Sequence, residues 1–465
     1  MKFINSFIST FKKMSNSKRK LEEQVEPAQK RLKCTETKVI LAEAQTFLTP
    51  FGIFGRTPIE VMHLIFSYLT ASQLSTLASC SKAYATEIYQ FLLTKEAAQK
   101  FYNEAKSCEN HGNNLQYHFC DYGHLINICG VILSSDQRTQ LLLMFFHNTK
   151  ELVENPHGWG RLFRTVTLKW SYEQRLQFFQ SLIDFELREL IDLVIKTPID
   201  EAQDEQIEVR RKLRGYFLDV EFKDPKDAAF WFSVVLRLQQ RAFDQAKLLL
   251  TLYAPVIKDG QGEERVDYRN LAEIDIVSAA DADHRLSQLS TAFGKLLHAI
   301  ELDFSPASFD YGIEQLRWSK PELFNLIEEV TTFPEPWPMQ NFVAMLLQSH
   351  RLIPIAISYR ILHGFGDEAG TIMFMLNTFA LRWRPTSTVL VYNALKEVLK
   401  TLSSRNCALL FEKIMQEQIK YIQESWPIEP TWNQTSVRSM EHAFNSSKEL
   451  LSMFQIALPL TFITR

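Results

Sequence analysis

The sequence predicts an all-α protein, in which three short N-terminal helices precede a long, irregular α-helical array. Apolar residues recur at the i, i+3, i+4 and i+7 spacing of amphipathic helices through most of the chain. The alternation of apolar and polar residues that is typical of β-strands is nearly absent. Helix-breaking segments rich in proline and glycine fall at irregular intervals, which indicates stacked helix pairs without an exact repeat period. These breaks lie at residues 155–158, 197–198, 258–262, 333–338, 363–366 and 426–427.

The composition is that of a folded intracellular protein. At 465 residues the chain is long enough for two or three domains, and 46% of its residues are hydrophobic. Six cysteines without a CxxC pair indicate reduced thiols. The net charge of -3 argues against direct nucleic-acid binding. Because no apolar run reaches the roughly 20 residues of a membrane span, we expect no membrane partner either.

Residues 1–45 are predicted to be a disordered basic tail, since they are polar and rich in serine and lysine. Two basic clusters in this tail have the spacing of a bipartite nuclear import signal: Lys18, Arg19, Lys30, Arg31 and Lys33. They favour the nucleus as the location, with the cytoplasm as the alternative. A competing interpretation is a mitochondrial presequence or a membrane-surface helix, for which the apolar residues at helical spacing are Phe3, Ile4, Phe7, Ile8 and Phe11.

Residues 46–104 contain the three short helices. Thr57, Pro58 and Glu60 suit the N-cap, N1 and N3 positions of the first helix, so the sequence predicts a capping box there. Thr70 begins the second helix in the same way, with a glutamine three residues later, and a third helix follows. Three short helices have too little interior to bury all their apolar side chains, so part of this surface should bind a partner.

The same segment resembles an F-box, whose pattern begins Leu-Pro-x-Glu-Leu. The resemblance is carried by Thr57 to Met62, Ile65 to Leu69 and Cys80 to Lys82, although Thr57 stands where the family usually has leucine. In F-box proteins these helices contact a Skp-type adaptor, which connects them to a cullin scaffold. The adaptor contacts that the resemblance implies are Pro58, Val61, Ile65, Phe66, Leu69, Leu74 and Leu77.

Segments outside the F-box resemble the F-box only protein 47 family. They are Phe51 to Phe54, Ala229 to Phe232 and Gln245 to Gln261, and the similarity is collinear over most of residues 51–455. The resemblance implies the substrate-recognition subunit of a Skp-cullin-F-box E3 ubiquitin ligase in the germline during meiotic prophase. An unidentified target protein would then bind the array of residues 105–465. The alternative is a non-catalytic helical scaffold that regulates a nuclear or chromosomal complex without ubiquitin transfer.

The residues do not predict an enzyme. The glycine-rich loops that hold phosphates are absent, as are GxSxG and a local Cys-His signature, so we expect neither a catalytic residue nor a cofactor. Trp337 and Trp383 beside proline-containing connectors suit either a peptide anchor or partly buried packing. Possible zinc ligands lack the paired spacing of common zinc fingers, so we expect no metal at Cys108, His111, His118, Cys120, His124 and Cys129.

Overall fold

The computed structural model of the chain describes residues 51, 54, 55, 57–110, 115–199, 201–222, 224–258, 260, 262–302 and 313–425, and positions 441, 444, 445, 447, 448, 450–452 and 454. The tail predicted at residues 1–45, with its import signal, lies outside these residues. The chain divides into two compact units, Met1–Phe178 and Phe179–Arg465. The boundary placed after residue 104 from the sequence stays a prediction.

The secondary structure of the first unit consists of helices and their connecting turns in the residues that the structure describes. Its helices are α1 (Ile59–Tyr68), α2 (Ala71–Cys80), α3 (Lys82–Leu92), α4 (Lys95–Asn110), α5 (Leu115–Gly130), α6 (Ser135–Thr149), α7 (Pro156–Thr167) and the start of α8 (Tyr172–Glu186). Helix α5 packs against both α2 and α7, and α4 packs against α6. Aromatic rings fill the space between them, with centroids 4.8 Å apart for Phe101 and Tyr122 and 5.0 Å apart for Phe146 and Trp159. The all-α prediction is confirmed here.

The second unit is a stack of helices. They are α9 (Arg188–Lys196), α10 (Gln203–Leu213), α11 (Pro225–Leu236), α12 (Ala242–Tyr253), α13 (Arg269–Glu273), α14 (Ala279–Ala299), α15 (Lys320–Thr331), α16 (Met339–Gln348), α17 (Ile353–Leu362), α18 (Gly366–Trp383), α19 (Thr388–Thr401) and α20 (Ser404–Ser425). A π-helical turn, Arg214–Leu218, extends α10.

The helices of the second unit form two layers. In one layer α10, α12, α15, α17 and α19 follow each other, and in the other α11, α14, α16, α18 and α20 do so. Each helix packs against the next member of its own layer, so successive helix pairs stack. An apolar face that one pair cannot bury alone is covered by the next pair. This is the irregular helical array that the sequence predicts.

A β-hairpin occupies the break at residues 258–262, where only a helix connector was expected. Strands β1 (Val256–Lys258) and β2 (Glu264–Val266) are antiparallel, with Val256 opposite Val266. Strand β2 packs against α10. Three-residue strands are too short for an alternating pattern to be visible in the sequence.

The breaks at 155–158 and 363–366 are helix ends, as predicted. Asn155 is the N-cap of α7, and its side chain accepts a hydrogen bond from the Gly158 N–H at 2.9 Å. Gly364 follows α17 with φ of 90°, a left-handed conformation that favours glycine after the end of a helix.

Buried cationic side chains satisfy the last carbonyls of several helices. Arg210 donates to the carbonyl oxygens of Thr251 and Ala254 at 3.0 and 2.9 Å, at the end of α12. Arg175 donates to the carbonyl of Thr167 at 3.1 Å, at the end of α7. Similar pairs are Lys247 with Ile195 and Arg285 with Ile274. Because these carbonyls have no partner within their own helix, a buried helix end depends on such donors.

Among the described residues, no single helix is long and apolar enough to cross a membrane. One pair, Met339–Gln348 with His350–Leu362, reaches the required length and composition only as two segments bent by 107°.

Helices α18 and α20 approach each other closely at Gly370. A Cβ atom on this residue would lie 2.6 Å from the Cβ of Lys413 and 2.8 Å from its carbonyl carbon. Backbone atoms of a packed helix cannot move away without separating the two helices. The close approach therefore requires glycine.

The Gly370→Ala substitution should lower the free energy of unfolding of the second unit by about 1–3 kcal/mol, because overpacking separates α18 from α20. Urea denaturation followed by circular dichroism measures the effect. The matched control is Gly294→Ala in α14, where an added Cβ meets nothing within 4 Å. This control should be neutral or stabilising by up to about 1 kcal/mol. Equal stability of the two variants would contradict the close packing at Gly370.

Candidate protein-binding site

Helix α1 begins one residue later than the predicted capping box requires. Pro58 is the N-cap residue, with ψ of 148°, and its carbonyl accepts from the N–H groups of Val61 and Met62 at 3.1 Å each. Proline has no side-chain acceptor, and this helix start has no side-chain cap hydrogen bond. The prediction that Thr57 is the N-cap is therefore wrong, because the extended Pro58 already supplies the first helical carbonyl.

Helices α2 and α3 begin as predicted. The Thr70 hydroxyl accepts from the Gln73 N–H at 3.3 Å, and the Gln73 side chain accepts from the Thr70 N–H at 2.9 Å. This reciprocal capping box is confirmed. The Ser81 hydroxyl accepts from the Tyr84 N–H at 3.2 Å and caps α3. Local hydrogen bonds thus determine where both helices start.

The inner face of α1 packs against α3 and α4. Phe66 is completely buried, and its ring meets Phe91 edge-on at 5.8 Å between centroids. The segment before α1 is fixed to α3, since the Tyr84 hydroxyl donates to the Phe51 carbonyl at 2.8 Å. Phe51, which contributes to the family resemblance, is half-buried and therefore packs at the edge of the same small core.

Four of the seven predicted adaptor contacts are buried within the chain. Phe66, Leu69, Leu74 and Leu77 are each at most 9% exposed. Helix α2, which carries the last two, packs against α3 and α5. Pro58, by contrast, is exposed at the start of α1. That all seven residues touch an adaptor stays a prediction, and the four buried side chains contribute to the folding of the first unit.

An exposed apolar stripe runs along the outer face of α1. It consists of Val61, Leu64 and Tyr68, which are 44%, 56% and 72% exposed, and we call it the α1 stripe. Their i, i+3 and i+7 spacing places them on one face of the helix. Ile65 is half-buried at its edge, and Ile59 is 43% exposed in the first turn. The structure thus leaves an apolar surface beside the predicted contacts Pro58 and Val61.

Leu64 and Tyr68 are not among the contacts predicted from the sequence. Helix α1 is apolar around most of its circumference, so it has a second apolar face besides the one that folding buries. The apolar residues Val61, Leu64 and Tyr68, at helical spacing, are the signal in the sequence that could have revealed this second face.

The cysteines and histidines of residues 108–129 do not gather around a metal position in the part that the structure describes. His118 is buried, stacks on Phe101 at 4.7 Å, and its Nε2 lies 3.1 Å from the Phe101 carbonyl oxygen. Cys129 is completely buried, and burial raises the pKa of its thiol to about 12. No group of three or more metal-binding side chains occurs among the described residues, which leave out His111.

In the second unit, a groove of about 430 Å³ is lined by aromatic side chains of α18 and α20. We call it the aromatic groove, and its aromatic residues are Phe374, Phe379, Trp383 and Tyr421. Trp383 stacks on Phe379 with ring centroids 4.1 Å apart, and both rings line the groove. Trp337 is only 8% exposed, and its indole N–H donates to the Phe333 carbonyl at 3.1 Å. Of the two tryptophans, Trp337 is therefore a packing residue.

These features define a class of protein: an all-α protein of stacked helix pairs, with an exposed apolar stripe on its first described helix and an aromatic groove in its array. Comparison with known families makes the assignment specific. A sequence profile described as "FBXO47, ARM repeats" matches residues 183–461, and the chain belongs to this family. The matched residues all lie in the second unit.

Two curated relatives extend the similarity. F-box only protein 47 of Homo sapiens is 21% identical over 321 residues, and F-box only protein 47 of Mus musculus is 22% identical over 323 residues. Each alignment covers 65% of this chain and 65% of the relative. The chain thus matches just under two thirds of the length of these relatives.

The stability of the first unit should fall as the pH drops below the ordinary histidine pKa of 6.5, because burial lowers the pKa of His118. The unfolded chain then binds a proton at a pH where the folded chain does not. The contribution of neutral His118 to the free energy of unfolding is fully present above pH 6.5. It is lost as the pH falls from there towards the lower pKa of His118 in the folded chain.

Urea denaturation at about pH 7.5 and about pH 5.5 measures this dependence. His118→Phe keeps the stacking on Phe101 and should reduce the difference between the two pH values. The matched control is His124→Asn on the exposed side of α5, which should leave the difference unchanged. An identical pH dependence in wild type and His118→Phe would contradict the assignment.

Proposed function

We propose that this chain is the substrate-recognition subunit of a Skp-cullin-F-box E3 ubiquitin ligase. The observation that carries the proposal is the α1 stripe in a chain of the FBXO47 family. Val61, Leu64 and Tyr68 are apolar, adjacent and exposed, on a helix that begins directly after the proline of the F-box-like pattern. Contiguous apolar surface of this kind is typical of a protein-binding site.

The size of the stripe indicates how far the contact with the adaptor extends. Covering three half-exposed apolar side chains contributes on the order of 3 kcal/mol. Association itself costs at least about 4 kcal/mol in lost translational and rotational freedom. The stripe alone is therefore insufficient, and the contact should include the neighbouring Pro58, Ile59 and Ile65. These flanking residues are exposed or half-buried and lie on the same helix or at its start.

The proposed mechanism is proximity. The first unit binds the Skp-type adaptor and through it the cullin scaffold, while the second unit holds the target protein. Bringing a target lysine close to a ubiquitin-conjugating enzyme makes the transfer effectively intramolecular. This role needs geometry, and it requires no catalytic side chain or cofactor in this chain. The aromatic groove is the candidate position for the target.

A scaffold without ubiquitin transfer is the second candidate, and one observation supports it. Phe66, Leu69, Leu74 and Leu77 are buried against the rest of the first unit, which is what a purely structural three-helix segment requires. In that case the chain regulates a nuclear or chromosomal complex through its array. The two candidates differ in whether the α1 stripe binds an adaptor.

Co-purification of the full chain with a Skp-type adaptor distinguishes these candidates. The double substitution Val61→Asp and Leu64→Asp should weaken adaptor binding by at least about a hundredfold, because it places two charges in an apolar contact. Both positions are exposed in the free chain, so the variant should fold, which circular dichroism checks. The matched control is Val131→Asp, at a residue 72% exposed outside α1.

If the double variant alone fails to co-purify with the adaptor, the result would support the proposal that the chain is a ligase subunit. If wild type and all variants are folded and none captures the adaptor, the ligase proposal fails and the scaffold becomes the better candidate. Unchanged capture by the double variant would mean that the adaptor binds elsewhere.

We further propose that the protein acts in the nucleus of germ cells in meiotic prophase. The two basic clusters of the predicted tail support nuclear import, and the resemblance to the F-box only protein 47 family supports the meiotic setting. Immunostaining of germline tissue should place the protein in prophase nuclei. Alanine at Lys30, Arg31 and Lys33 should move a fluorescent fusion to the cytoplasm, whereas alanine at Lys12 and Lys13 should not. Cytoplasmic wild-type protein would contradict the proposal.

A further inference from the structure

A second groove in the second unit is polar, and we call it the polar groove. It has a volume of about 510 Å³. One wall is α14, from which Ser287, Thr291 and Gly294 line the groove at helical spacing. Arg351 and Arg384 line it from the segments that follow α16 and α18. These small residues of α14, opposite the long arginine side chains, leave room for a polar ligand.

The polar groove carries an excess of positive charge. Among the described residues that line it, Lys295, Arg351 and Arg384 are cationic and Asp283 is the single carboxylate. Arg384 forms an ion pair with Asp283. Arg351 lies 3.6 Å from Glu301, which is 58% exposed and does not line the groove. The charge that remains to be neutralised favours an anionic ligand.

Lys295 has hydrogen-bond donors to spare. Its ammonium donates to the Leu218 carbonyl at 2.8 Å and lies 5.8 and 5.9 Å from the ring centroids of Phe232 and Tyr253. An ammonium has three N–H donors, so this carbonyl uses one of them. Burial lowers the pKa of Lys295, which means that its charge is poorly solvated. An anion in the groove would stabilise that charge.

Ser290 supplies an independent observation. Its side chain is 4% exposed and lines the polar groove, and its hydroxyl has no hydrogen-bond partner among the described residues. A buried hydroxyl without a partner is unfavourable, and a ligand that accepts its hydrogen bond removes the penalty. One helical turn further along α14, Gly294 leaves open space where a side chain would otherwise project.

We propose that the polar groove binds a phosphorylated serine or threonine side chain of a peptide. The phosphate accepts hydrogen bonds from Lys295, Arg351 and the Ser290 hydroxyl, and it neutralises the excess charge. A phosphate carries roughly two negative charges at neutral pH and three strong acceptor oxygens, which matches these donors. The inference rests on the proposed function only in identifying the peptide as part of a target.

The aromatic groove lies next to this site along the chain. Trp383 lines the aromatic groove and Arg384 lines the polar groove, and consecutive Cα atoms are about 3.8 Å apart. A peptide with an apolar side chain close to its phosphorylated residue therefore suits both grooves. The aromatic groove is lined by two carboxylates, Glu417 and Glu424, and by two cations, Arg382 and Lys420, so its lining carries no net charge. It lacks the excess of cations that a polynucleotide backbone requires, and a peptide is favoured over nucleic acid.

The test uses the purified full chain without any adaptor. The probe is a fluorescein-labelled peptide library with a fixed central phosphoserine, and the comparison probes carry serine or glutamate at that position. Fluorescence anisotropy should give binding at least about tenfold tighter for phosphoserine than for serine. Equal binding of these two probes would overturn the proposal.

Two substitutions locate the binding, and circular dichroism checks that each variant folds, because Lys295→Met also removes the donor to the Leu218 carbonyl. Lys295→Met keeps most of the side-chain length but removes the charge that lies near Phe232 and Tyr253. Gly294→Leu fills the open part of the groove. Each should weaken phosphoserine binding by at least about tenfold. The matched control is Lys396→Met at an exposed lysine of α19 outside the groove, which should bind like wild type. Undiminished binding in both groove variants would overturn the proposed location.

Ser290→Ala separates a binding role from a structural one. If the hydroxyl binds phosphate, this variant should unfold at the same or a higher temperature than wild type while losing affinity for the phosphoserine probe. Higher thermal stability with unchanged affinity would remove Ser290 from the site. A labelled single-stranded DNA bound more tightly than the peptide, and lost in the same variants, would overturn the peptide assignment. Because no adaptor is present, these outcomes are independent of the adaptor experiment.

Discussion

Hydrogen bonds from buried cations to helix-terminal carbonyls are the interaction on which the stacked architecture depends. Every helix ends with carbonyls that its own backbone cannot satisfy. In a layered stack many of these ends face protein rather than water, and leaving one unpaired costs about 1–3 kcal/mol. Arg175, Arg210, Lys247 and Arg285 each bring donors from a neighbouring element to such an end. Each pairing also connects two different helices, and so restricts their relative position.

This structural use of cations separates the charged residues of the chain into two groups. Arg210 is almost fully buried, donates to carbonyls and to Gln288, and belongs to the folded framework. The second group lines a groove. Lys295 belongs to both groups, because it satisfies the Leu218 carbonyl and also lines the polar groove. A basic residue in this protein is therefore a candidate for ligand binding only where it also lines a groove.

The sequence predicts the local features of the fold better than the tertiary ones. The capping box at Thr70 depends on residues three apart, and it forms as predicted. The break at Asn155 likewise depends on its own side chain and the proline that follows. The burial of Leu74 and Leu77, in contrast, depends on α5, which lies some forty residues further along the chain. The spacing of apolar residues within α1 and α2 cannot reveal which of their faces a distant helix covers. The two grooves could not be predicted for the same reason, because their lining residues come from helices and connecting segments between α11 and α20.

The packing of α2 and α3 on α5 has a consequence for the modular character of the protein. A binding segment that folds by itself can be transferred to another protein, and it then still binds the same partner. Here the face that α2 presents inward is completed by a helix from the following sequence, and α5 in turn packs against α7. Helix α1, which carries the proposed adaptor contact, packs against α3 and α4 and is thus part of the folded body of the first unit. A partner bound to α1 would take its orientation from that whole body, and a graft of the three short helices alone would leave behind the surface that gives them their shape.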